Sequence, residues 1–369
     1  MRAAVLQQTG QPVAIEELTL DEPGQGEVRV RVLASGVCHS DLHLRDGEWP
    51  RPGPFVIGHE GAGVVDALGP GVDPGLTGLR TGRLVALSWY AACHACAACR
   101  AGREWLCSGS GSSRHRLNDG TTRTHRADGS DVYPYCGIGT LAQATVVPAS
   151  AAIPMPDGTP AEVAALIGCC VSTGVGAAVK TARVPAGSNV VVIGLGGVGL
   201  SVVMGAVLAG ATRIVAVDRV PAKLDLALEL GATDTVLAGP DPAATDARIL
   251  AESGTGPDFT FEAIGLQATI DQAIRLLPPG GTAVLVGMTP FGVRASFDVF
   301  PFVDGSRSIL GSNYGFAVAS VDFPRYAQLF LDGRLPVDRL ISRRIGLDDV
   351  EAAFARLRTG DELRSIVTF

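Results

Sequence analysis

The sequence has few aromatic residues and no concentrated positive charge. Aromatic residues make up 5% of its 369 positions, and all but two of the 30 basic residues are arginines, which form no long block. With a formal net charge of −7, the chain lacks the basic surface by which proteins bind nucleic acid or anionic lipid. We therefore expect neither a nucleic-acid partner nor a membrane partner.

The pattern of a signal peptide or a membrane-spanning helix is also missing. No long apolar stretch follows Met1 and Arg2 at the N-terminus. One uncharged stretch, from Val184 to Thr212, exceeds the about 20 residues that a spanning helix needs. It contains Ser188, Asn189 and six glycines between Gly194 and Gly210, however, and so predicts a buried strand, a tight turn and a buried helix. We expect a cytoplasmic protein.

Length and composition predict about two folded domains. Domains usually contain roughly 100–200 residues. The 47% of apolar residues suffices for sizeable cores and excludes intrinsic disorder.

The first 150 residues are typical of a loop-rich antiparallel β domain. Val28, Val30 and Val32 recur at the period of a half-buried strand. Glycines and prolines then separate short apolar runs. Residues 110–132 are polar and rich in glycine, serine, threonine and arginine, which predicts an insertion or surface loop.

From Val171 onward, strand-like and helix-like runs alternate, which predicts an α/β fold with a doubly wound parallel sheet. The predicted strands are Asn189–Ile193, Arg213–Val217, Asp258–Glu262, Thr282–Val286, Pro301–Asp304 and Ser308–Ser312. The predicted helices are Val198–Gly210, Pro221–Leu230, Ala243–Glu252, Leu266–Leu276, Phe323–Asp332 and Leu347–Arg358, and a closing strand is predicted at Ser365–Phe369.

A glycine-rich motif follows the strand Asn189–Ile193 and opens a long apolar helix. Gly194 would allow a tight turn, Gly196 would let a pyrophosphate approach the backbone, and Gly199 would let helix and strand pack closely. Asp218 ends the next strand, where a carboxylate takes the adenosine ribose hydroxyls and repels a 2′-phosphate. The motif predicts a dinucleotide site that favours NAD, while the adjacent Arg219 leaves NADP as an alternative.

Four of the eight cysteines lie within fifteen residues, as Cys93, Cys96, Cys99 and Cys107. Four thiolates on one short segment match a closed tetrahedral zinc site, which would stabilise the lobe without offering a position to substrate. An iron–sulfur cluster also uses four cysteines, but nothing here suggests electron transfer. We expect His94, inside the cluster, to be solvated.

Three further segments are rich in metal-ligand types. They carry Cys38 with His39, His59 with Glu60, and Cys169 with Cys170. Each alone is also explained as buried core residues, and spacing alone does not join them.

Taken together, the Gly-His-Glu at 58–60, the four-cysteine lobe and the glycine motif resemble the zinc-dependent alcohol dehydrogenases of the medium-chain dehydrogenase/reductase superfamily. The resemblance covers essentially the whole chain. The segments Asn118–Arg123 and Gly168–Gly174 resemble the long bacterial branch of mycothiol-linked, glutathione-linked and nitrosoaniline-dependent enzymes. It implies a GroES-like β-rich catalytic domain at 1–170 and 314–369 and a Rossmann domain at 171–313.

The resemblance also implies roles for individual residues. Cys38, His59 and Cys169 would bind a catalytic zinc with an open fourth position, and Cys170 would be a packed thiol. Further roles would be metal exchange for Glu60, support of His59 for Asp41, substrate contact for Ser40 and proton transfer for His43. Cofactor contacts would come from Thr173, Val198, Gly197, Lys223 and Arg364, and from His39, where many members carry an arginine.

The implied activity is reversible hydride transfer between a primary alcohol and NAD, which gives the aldehyde. By position in the family, Trp49, Trp89, Tyr135, Cys136 and Thr289 would line the substrate pocket. An apolar, flat-walled pocket favours medium-chain, aromatic or terpenoid alcohols. Alternatively, one or both tryptophans fill the core between the domains.

Two other functions stay open. One is a dehydrogenase of the formaldehyde adduct of mycothiol or glutathione, in which Arg114, Arg116 and Arg123 would hold the carboxylate or the sugar of the adduct. The family's glutathione-dependent enzymes keep a polar residue where this chain has Trp49. The other is a non-catalytic NAD-binding protein, against which the complete zinc ligand set argues; a zinc hydrolase would leave the glycine motif unexplained.

We also expect a homodimer. The predicted strands near residues 301–312 would leave a sheet edge with apolar side chains, which pairing with a second chain would cover. The resembling enzymes join their dinucleotide domains in this way, and those that form tetramers tend to lack the segment corresponding to 110–132. The apolar residues concerned are Val299, Phe300, Phe302 and Val303.

Overall fold

The computed structural model describes residues 1–360 and 362–369. Within them the chain forms two compact units, one of residues 1–169 and 318–369 and one of residues 170–317. These limits lie within four residues of the boundaries expected from the sequence.

The N-terminal part of the first unit is mostly β structure. Its strands are β1 (Arg2–Leu6), β2 (Ala14–Glu17), β3 (Thr19–Leu20), β4 (Glu27–Val37), β5 (Phe55–Val56), β6 (Glu60–Leu68), β7 (Leu84–Leu87), β8 (Thr124–His125), β9 (Tyr133–Pro134), β10 (Ala144–Pro148) and β11 (Ala152–Pro154). Its helices are α1 (His39–Arg45), α2 (Pro74–Thr77), α3 (Ala97–Arg100) and α4 (Ala161–Leu166).

Strand β4 organises this unit. Val28, Val30 and Val32 on it are fully buried, as the alternation predicts. Val28 and Val30 belong to a hydrophobic core that also contains Val65, Val85 and Val147. The strand pairs antiparallel with β6 and β10. The end of β4 lies beside the start of β6, because Gly36 pairs with Glu60. Helix α1 begins two residues after β4 ends.

The second unit is an α/β fold with a six-stranded parallel sheet. Its strands are β12 (Asn189–Ile193), β13 (Arg213–Asp218), β14 (Asp234–Leu237), β15 (Phe259–Glu262), β16 (Thr282–Leu285) and β17 (Ser308–Gly311), in the order β14-β13-β12-β15-β16-β17. Its helices are α5 (Ser172–Gly176), α6 (Gly197–Ala209), α7 (Pro221–Glu229), α8 (Pro242–Glu252), α9 (Gln267–Arg275) and α10 (Val299–Asp304). The strand order reverses between β12 and β15, and ligands of open α/β sheets bind at such a point.

The predicted strand at Pro301–Asp304 is wrong, because these residues lie in the helix α10. The Asp298 carboxylate accepts a hydrogen bond from the Phe300 N–H and so caps the helix. A proline is tolerated in a first helical turn, where its missing N–H is not needed. The aromatic and β-branched composition of the segment favours a strand, and the cap overrides it.

The chain then returns to the first unit. It adds α11 (Ala319–Leu331), β18 (Ile341–Ile345), α12 (Val350–Thr359) and β19 (Arg364–Thr368), of which β19 pairs with β4. Helix α11 begins four residues before the predicted Phe323, where the Asp322 carboxylate accepts the Val318 N–H.

Within the described residues, one helical stretch, Ala161–Thr181, is long and apolar enough to cross a membrane, but 83% of its most apolar window is buried in the folded chain. Burial of this extent is typical of a core helix.

Candidate active site

The glycine motif forms a tight turn between β12 and α6. Gly194 has a φ of +90°. A Cβ on Gly199 would lie 1.7 Å from the carbonyl oxygen of Gly194, so only glycine permits this approach of helix to strand. At Gly196, by contrast, a Cβ would meet no protein atom within 4 Å. The protein leaves open space at that glycine, as a bound pyrophosphate at the N-terminus of α6 would require.

The acid at the end of β13 is tied to this turn. The Asp218 carboxylate accepts the Leu195 N–H at 2.7 Å and the Val220 N–H at 3.0 Å. Its position next to the turn fits a ribose contact. Arg219 is exposed.

The four-cysteine segment folds into one compact group. The sulfur atoms of Cys93, Cys96, Cys99 and Cys107 all lie within 4.8 Å of one another. Backbone N–H groups support the sulfurs; the Cys99 N–H, for instance, donates to the Cys96 sulfur at 3.4 Å, and it lowers the pKa of that thiol to about 5. Four thiols at such separations fit a tetrahedral zinc ion. The side chain of His94 is 63% exposed.

A second group of metal-ligand side chains is completely buried. Atoms of Cys38, His59, Glu60 and Cys169 lie within 4.8 Å of one another. Cys38 follows β4, His59 precedes β6, and Cys169 lies on the π-helical turn Ile167–Val171, a helix form that recurs at functional sites. Cys170 is buried but does not belong to this group.

The buried carboxylate of Asp41 orients this group. Its Oδ1 lies 3.0 Å from His59 Nδ1 and accepts the Gly58 N–H, and its Oδ2 accepts the Cys38 N–H. This contact leaves Nε2 of His59 as the ligand atom. Burial opposes the charged ring, but Asp41 and Cys38 outweigh it and raise the pKa of His59 well above its usual value.

The Glu60 carboxylate forms an ion pair with Arg364 and also lies near the three other members of the buried group. The Arg364 Nε lies 3.1 Å from Glu60 Oε2, and its NH2 donates to the Cys38 sulfur at 3.4 Å. Burial raises the pKa of Glu60 to about 7, although Arg364 opposes this. A hydrogen bond with Cys169, together with Arg364 and His59, holds the pKa of Cys38 well below its usual range despite burial. A Cβ on Gly36 would lie 2.2 Å from Glu60 Oε2, so a larger residue there would displace the carboxylate that Arg364 contacts.

Three aromatic side chains that were predicted to line the pocket contact histidines of this unit. The Tyr135 and Trp89 rings stand nearly perpendicular to the His59 ring, at 5.8 and 6.5 Å. The Tyr135 hydroxyl donates to the Ser40 carbonyl at 3.2 Å. The Trp49 ring stacks on the His43 ring at a centroid distance of 4.6 Å.

Two residues of this region were not predicted as site residues from the sequence. Glu48 contacts His43 Nδ1, and His115 accepts the Cys136 N–H at 3.2 Å while its ring packs 4.9 Å from Tyr135. The Asp-Gly pair at 46 and 47 indicates a turn that returns the chain towards α1, and this could have pointed to Glu48. His115 lies in the 110–132 segment, where only the three-dimensional fold shows its neighbours.

The remaining predicted residues are distributed over both units. His39 is exposed, with its ring 6.1 Å from that of His43, in the first unit. In the second unit, Thr173 lies on α5 and Val198 on α6, both half-buried, while Lys223 lies on α7 and Thr289 follows β16.

Comparison with known proteins matches both units. Residues 24–157 match the alcohol dehydrogenase GroES-like domain and residues 197–332 match the zinc-binding dehydrogenase family. The NDMA-dependent alcohol dehydrogenase of Amycolatopsis methanolica is 35% identical over 99% of this chain and 98% of its own length. The S-(hydroxymethyl)glutathione dehydrogenase of Paracoccus denitrificans is 32% identical over 100% of this chain and 99% of its own length.

Solved structures agree. The alcohol dehydrogenase zinc-binding domain protein of Burkholderia ambifaria has a TM-score of 0.93 and 37% identity, with 100% of this chain and 98% of that chain covered. The benzyl alcohol dehydrogenase of Acinetobacter calcoaceticus has a TM-score of 0.89 and 30% identity, with 100% of this chain and 99% of that chain covered. With a glycine turn, a four-thiol group and a buried Cys-His-Cys group in place, this chain belongs to the zinc-binding alcohol dehydrogenase family and is a nicotinamide-dependent oxidoreductase of alcohols and aldehydes.

Proposed function

We propose that this chain oxidises medium-chain, aromatic or terpenoid primary alcohols to aldehydes with NAD, in a reversible reaction. One observation carries the proposal: the buried group of Cys38, His59 and Cys169 offers three protein ligands, whereas the other group offers four. Three ligands leave a zinc ion one position for substrate, and four leave none. Glu60 is the fourth member of the buried group, but Arg364 holds its carboxylate.

A zinc ion held by Cys38, His59 and Cys169 would supply Lewis-acid chemistry, which makes an alcohol easier to deprotonate and a carbonyl easier to reduce. The protein's own part is positioning. Asp41 fixes the His59 ring, and the buried Arg364 compensates negative charge on Cys38 and Glu60. Ser40 contacts the oxygen of the alcohol, and His43 accepts the proton that the alcohol releases, since an imidazole nitrogen can act as a general base.

The second unit is the proposed cofactor domain, and the first is the proposed zinc and substrate domain. The open space at Gly196 and the N-terminus of α6 support a pyrophosphate site. Asp218 supports NAD over NADP, because a carboxylate attracts ribose hydroxyls and repels a 2′-phosphate. Lys223, Arg219, Thr173 and Val198 are proposed to contact the cofactor, as are His39 and Arg364.

Aromatic side chains support the substrate class. Tyr135 and Trp89 present rings around His59, and flat apolar walls of this kind suit a ring or a long carbon chain better than ethanol. Cys136, Trp49 and Thr289 are the further proposed pocket residues. A benzyl alcohol dehydrogenase is among the similar structures.

A thiol-adduct formaldehyde dehydrogenase is the second candidate, favoured by the 32% identity to an S-(hydroxymethyl)glutathione dehydrogenase. The proposed thiol-binding arginines argue against it. Arg123 is paired with Glu27 at 2.8 Å and Asp119 at 2.9 Å, and the Arg116 guanidinium lies 3.7 Å from the Tyr133 ring centre. Two carboxylates already compensate the charge of Arg123.

A substrate panel with NAD separates these two candidates. We expect kcat/KM for benzyl alcohol and a terpenoid alcohol to exceed that for ethanol at least about tenfold, which corresponds to burying one or two more methylene equivalents. Adding glutathione or mycothiol should leave these rates unchanged. Turnover of formaldehyde only in the presence of a thiol would establish the second candidate instead. Repeating the panel with a nitrosoaniline hydride acceptor shows whether NAD exchanges during turnover.

We also propose a cytoplasmic homodimer built through the second unit. Strand β17 lies at the edge of the parallel sheet, and nearby Val299, Phe300 and Val303 are 62%, 78% and 69% exposed. Phe302 packs against its own unit. Pairing of two such edges about a two-fold axis would cover these side chains. Sedimentation equilibrium at micromolar concentration should give the mass of a dimer. The mass of a monomer would refute the inference that a second chain covers the β17 edge. The mass of a tetramer would refute only the inference that a chain with the 110–132 segment stops at the dimer.

A further inference from the structure

The chain directly after helix α1 folds back onto His43. Gly47, with a φ of +80°, allows this reversal. The Glu48 and Trp49 N–H groups both donate to the His43 carbonyl, at 3.0 and 3.3 Å. The turn therefore carries two consecutive side chains to the imidazole of His43, in the last turn of α1.

Both side chains hold the imidazole. The Glu48 carboxylate contacts Nδ1 of His43, and the Trp49 ring stacks on it at 4.6 Å with an interplanar angle of 27°. The His43 side chain is 16% exposed and the Glu48 side chain is 42% exposed. The ring is thus fixed in orientation while its carboxylate partner reaches solvent.

We propose that Glu48 is a positioning residue for His43: it holds the proton on Nδ1 and thereby leaves Nε2 as the nitrogen that accepts the substrate proton. The inference rests on the proposed function, in which His43 takes part in deprotonating the alcohol. The physical reason is that a carboxylate only accepts, so the nitrogen facing it must donate. In the proton transfer, the O–H bond of the alcohol breaks and an N–H bond forms at Nε2. The resulting imidazolium keeps its Nδ1–H on Glu48, whose negative charge stabilises it.

Two substitutions separate the parts of this role. Glu48→Gln removes the charge but keeps an oxygen that can accept the Nδ1–H, whereas Glu48→Leu removes both. Glu17→Gln serves as the control, because Glu17 is a 76% exposed carboxylate of the same unit. His43→Gln tests the underlying function. Thermal unfolding and zinc content of every variant establish that the fold and metal sites are intact.

The first measurement is the tautomer of His43, by ¹⁵N NMR of ring-labelled holoenzyme with the His43 signals assigned by their loss in His43→Gln. We expect the Nδ1–H form in the wild type and in Glu48→Gln, and a shift to the Nε2–H form in Glu48→Leu. An Nε2–H form in the wild type, or an unchanged tautomer in Glu48→Leu, would overturn the proposal. This readout does not depend on turnover.

The second measurement is kinetic. Glu48→Leu should lower kcat at least about tenfold with KM for the alcohol nearly unchanged, since general base catalysis contributes roughly 10²–10⁴-fold. Glu48→Gln, which keeps an oxygen that accepts the Nδ1–H, should retain more of the wild-type kcat than Glu48→Leu. A wild-type kcat in both Glu48 variants, with a strong loss in His43→Gln, would refute the role of Glu48 alone. Full activity in His43→Gln would refute the proposed proton acceptor itself.

Discussion

The two groups of metal-ligand side chains in the first unit differ in how the chain builds them. The four cysteines lie within residues 93–107 and three of them are only half-buried, whereas Cys38, His59 and Cys169 come from three distant segments and are fully buried. The first group can form wherever its short segment folds. The second requires β4, β6 and the helical stretch at 161–181 to be in place. Stability and catalysis are therefore expected to be separable between them.

The largest expected effect concerns the buried group. His59→Ala should lower kcat/KM by at least roughly 10³-fold, because the several kcal/mol supplied by a bound Lewis acid would be lost. Steady-state kinetics with benzyl alcohol measures this, and circular dichroism should show an unchanged fold. A wild-type kcat/KM in His59→Ala would contradict the assignment of catalysis to the buried group.

The next effect concerns the four cysteines. Cys96→Ala should lower the free energy of unfolding by on the order of 3 kcal/mol, because binding of a structural zinc contributes directly to folding. Urea unfolding measures it, with Cys170→Ala as a matched substitution outside both groups. A Cys96→Ala variant that is stable but has lost substrate binding would contradict this account, because it would place substrate at the four-cysteine group rather than at the buried group.

The surroundings of the buried group should also respond to acid. Burial and the nearby Arg51 lower the pKa of His115 to about 4, so its ring is neutral in the folded chain and accepts the Cys136 N–H. The unfolded chain binds this proton below its ordinary pKa of about 6.5, and stability is lost as the pH falls from there towards 4. Between pH 7 and pH 5 the wild type should lose up to about 2 kcal/mol more unfolding free energy than His115→Gln. Equal losses in the two proteins, measured by urea unfolding, would show that His115 is already solvated.

The smallest effect lies in the second unit, whose turn is again built locally. Asp218→Gly should relax the preference for NAD over NADP by about tenfold, or 1.4 kcal/mol, because it removes the charge that repels a 2′-phosphate. Asp218→Asn keeps an acceptor for the Leu195 N–H and should relax it as well if charge is the cause. Ratios of kcat/KM for the two cofactors measure the preference. An unchanged ratio in both variants would place the discrimination elsewhere, with Arg219 as the first residue to test.

The sequence predicted best what is local. The β12–turn–α6 unit follows from an apolar run, a glycine-rich motif and a second apolar run, and the strand bounds Asn189–Ile193 match those of the structure. The four-cysteine group follows from spacing. The helix α10 was missed because one capping aspartate outweighs the strand-like composition of its segment.

Distant partners were harder to predict. No spacing rule joins Cys38, His59 and Cys169, and they were linked only through resemblance to a family. The same holds for Arg364, which is separated from Glu60 by 304 positions yet forms an ion pair with it, and for His115 beside Cys136. These contacts depend on the pairing of β19 with β4 and on the path of the 110–132 segment, neither of which periodicity encodes.

Zinc content per chain tests the central distinction most directly. We predict two zinc ions per wild-type chain, and one in Cys38→Ala, in which the four-cysteine group keeps its ion while the buried group loses one of its three ligands. Native mass spectrometry combined with elemental analysis provides both numbers. A single zinc in the wild type, or two retained in Cys38→Ala, would contradict the division into a closed and an open site.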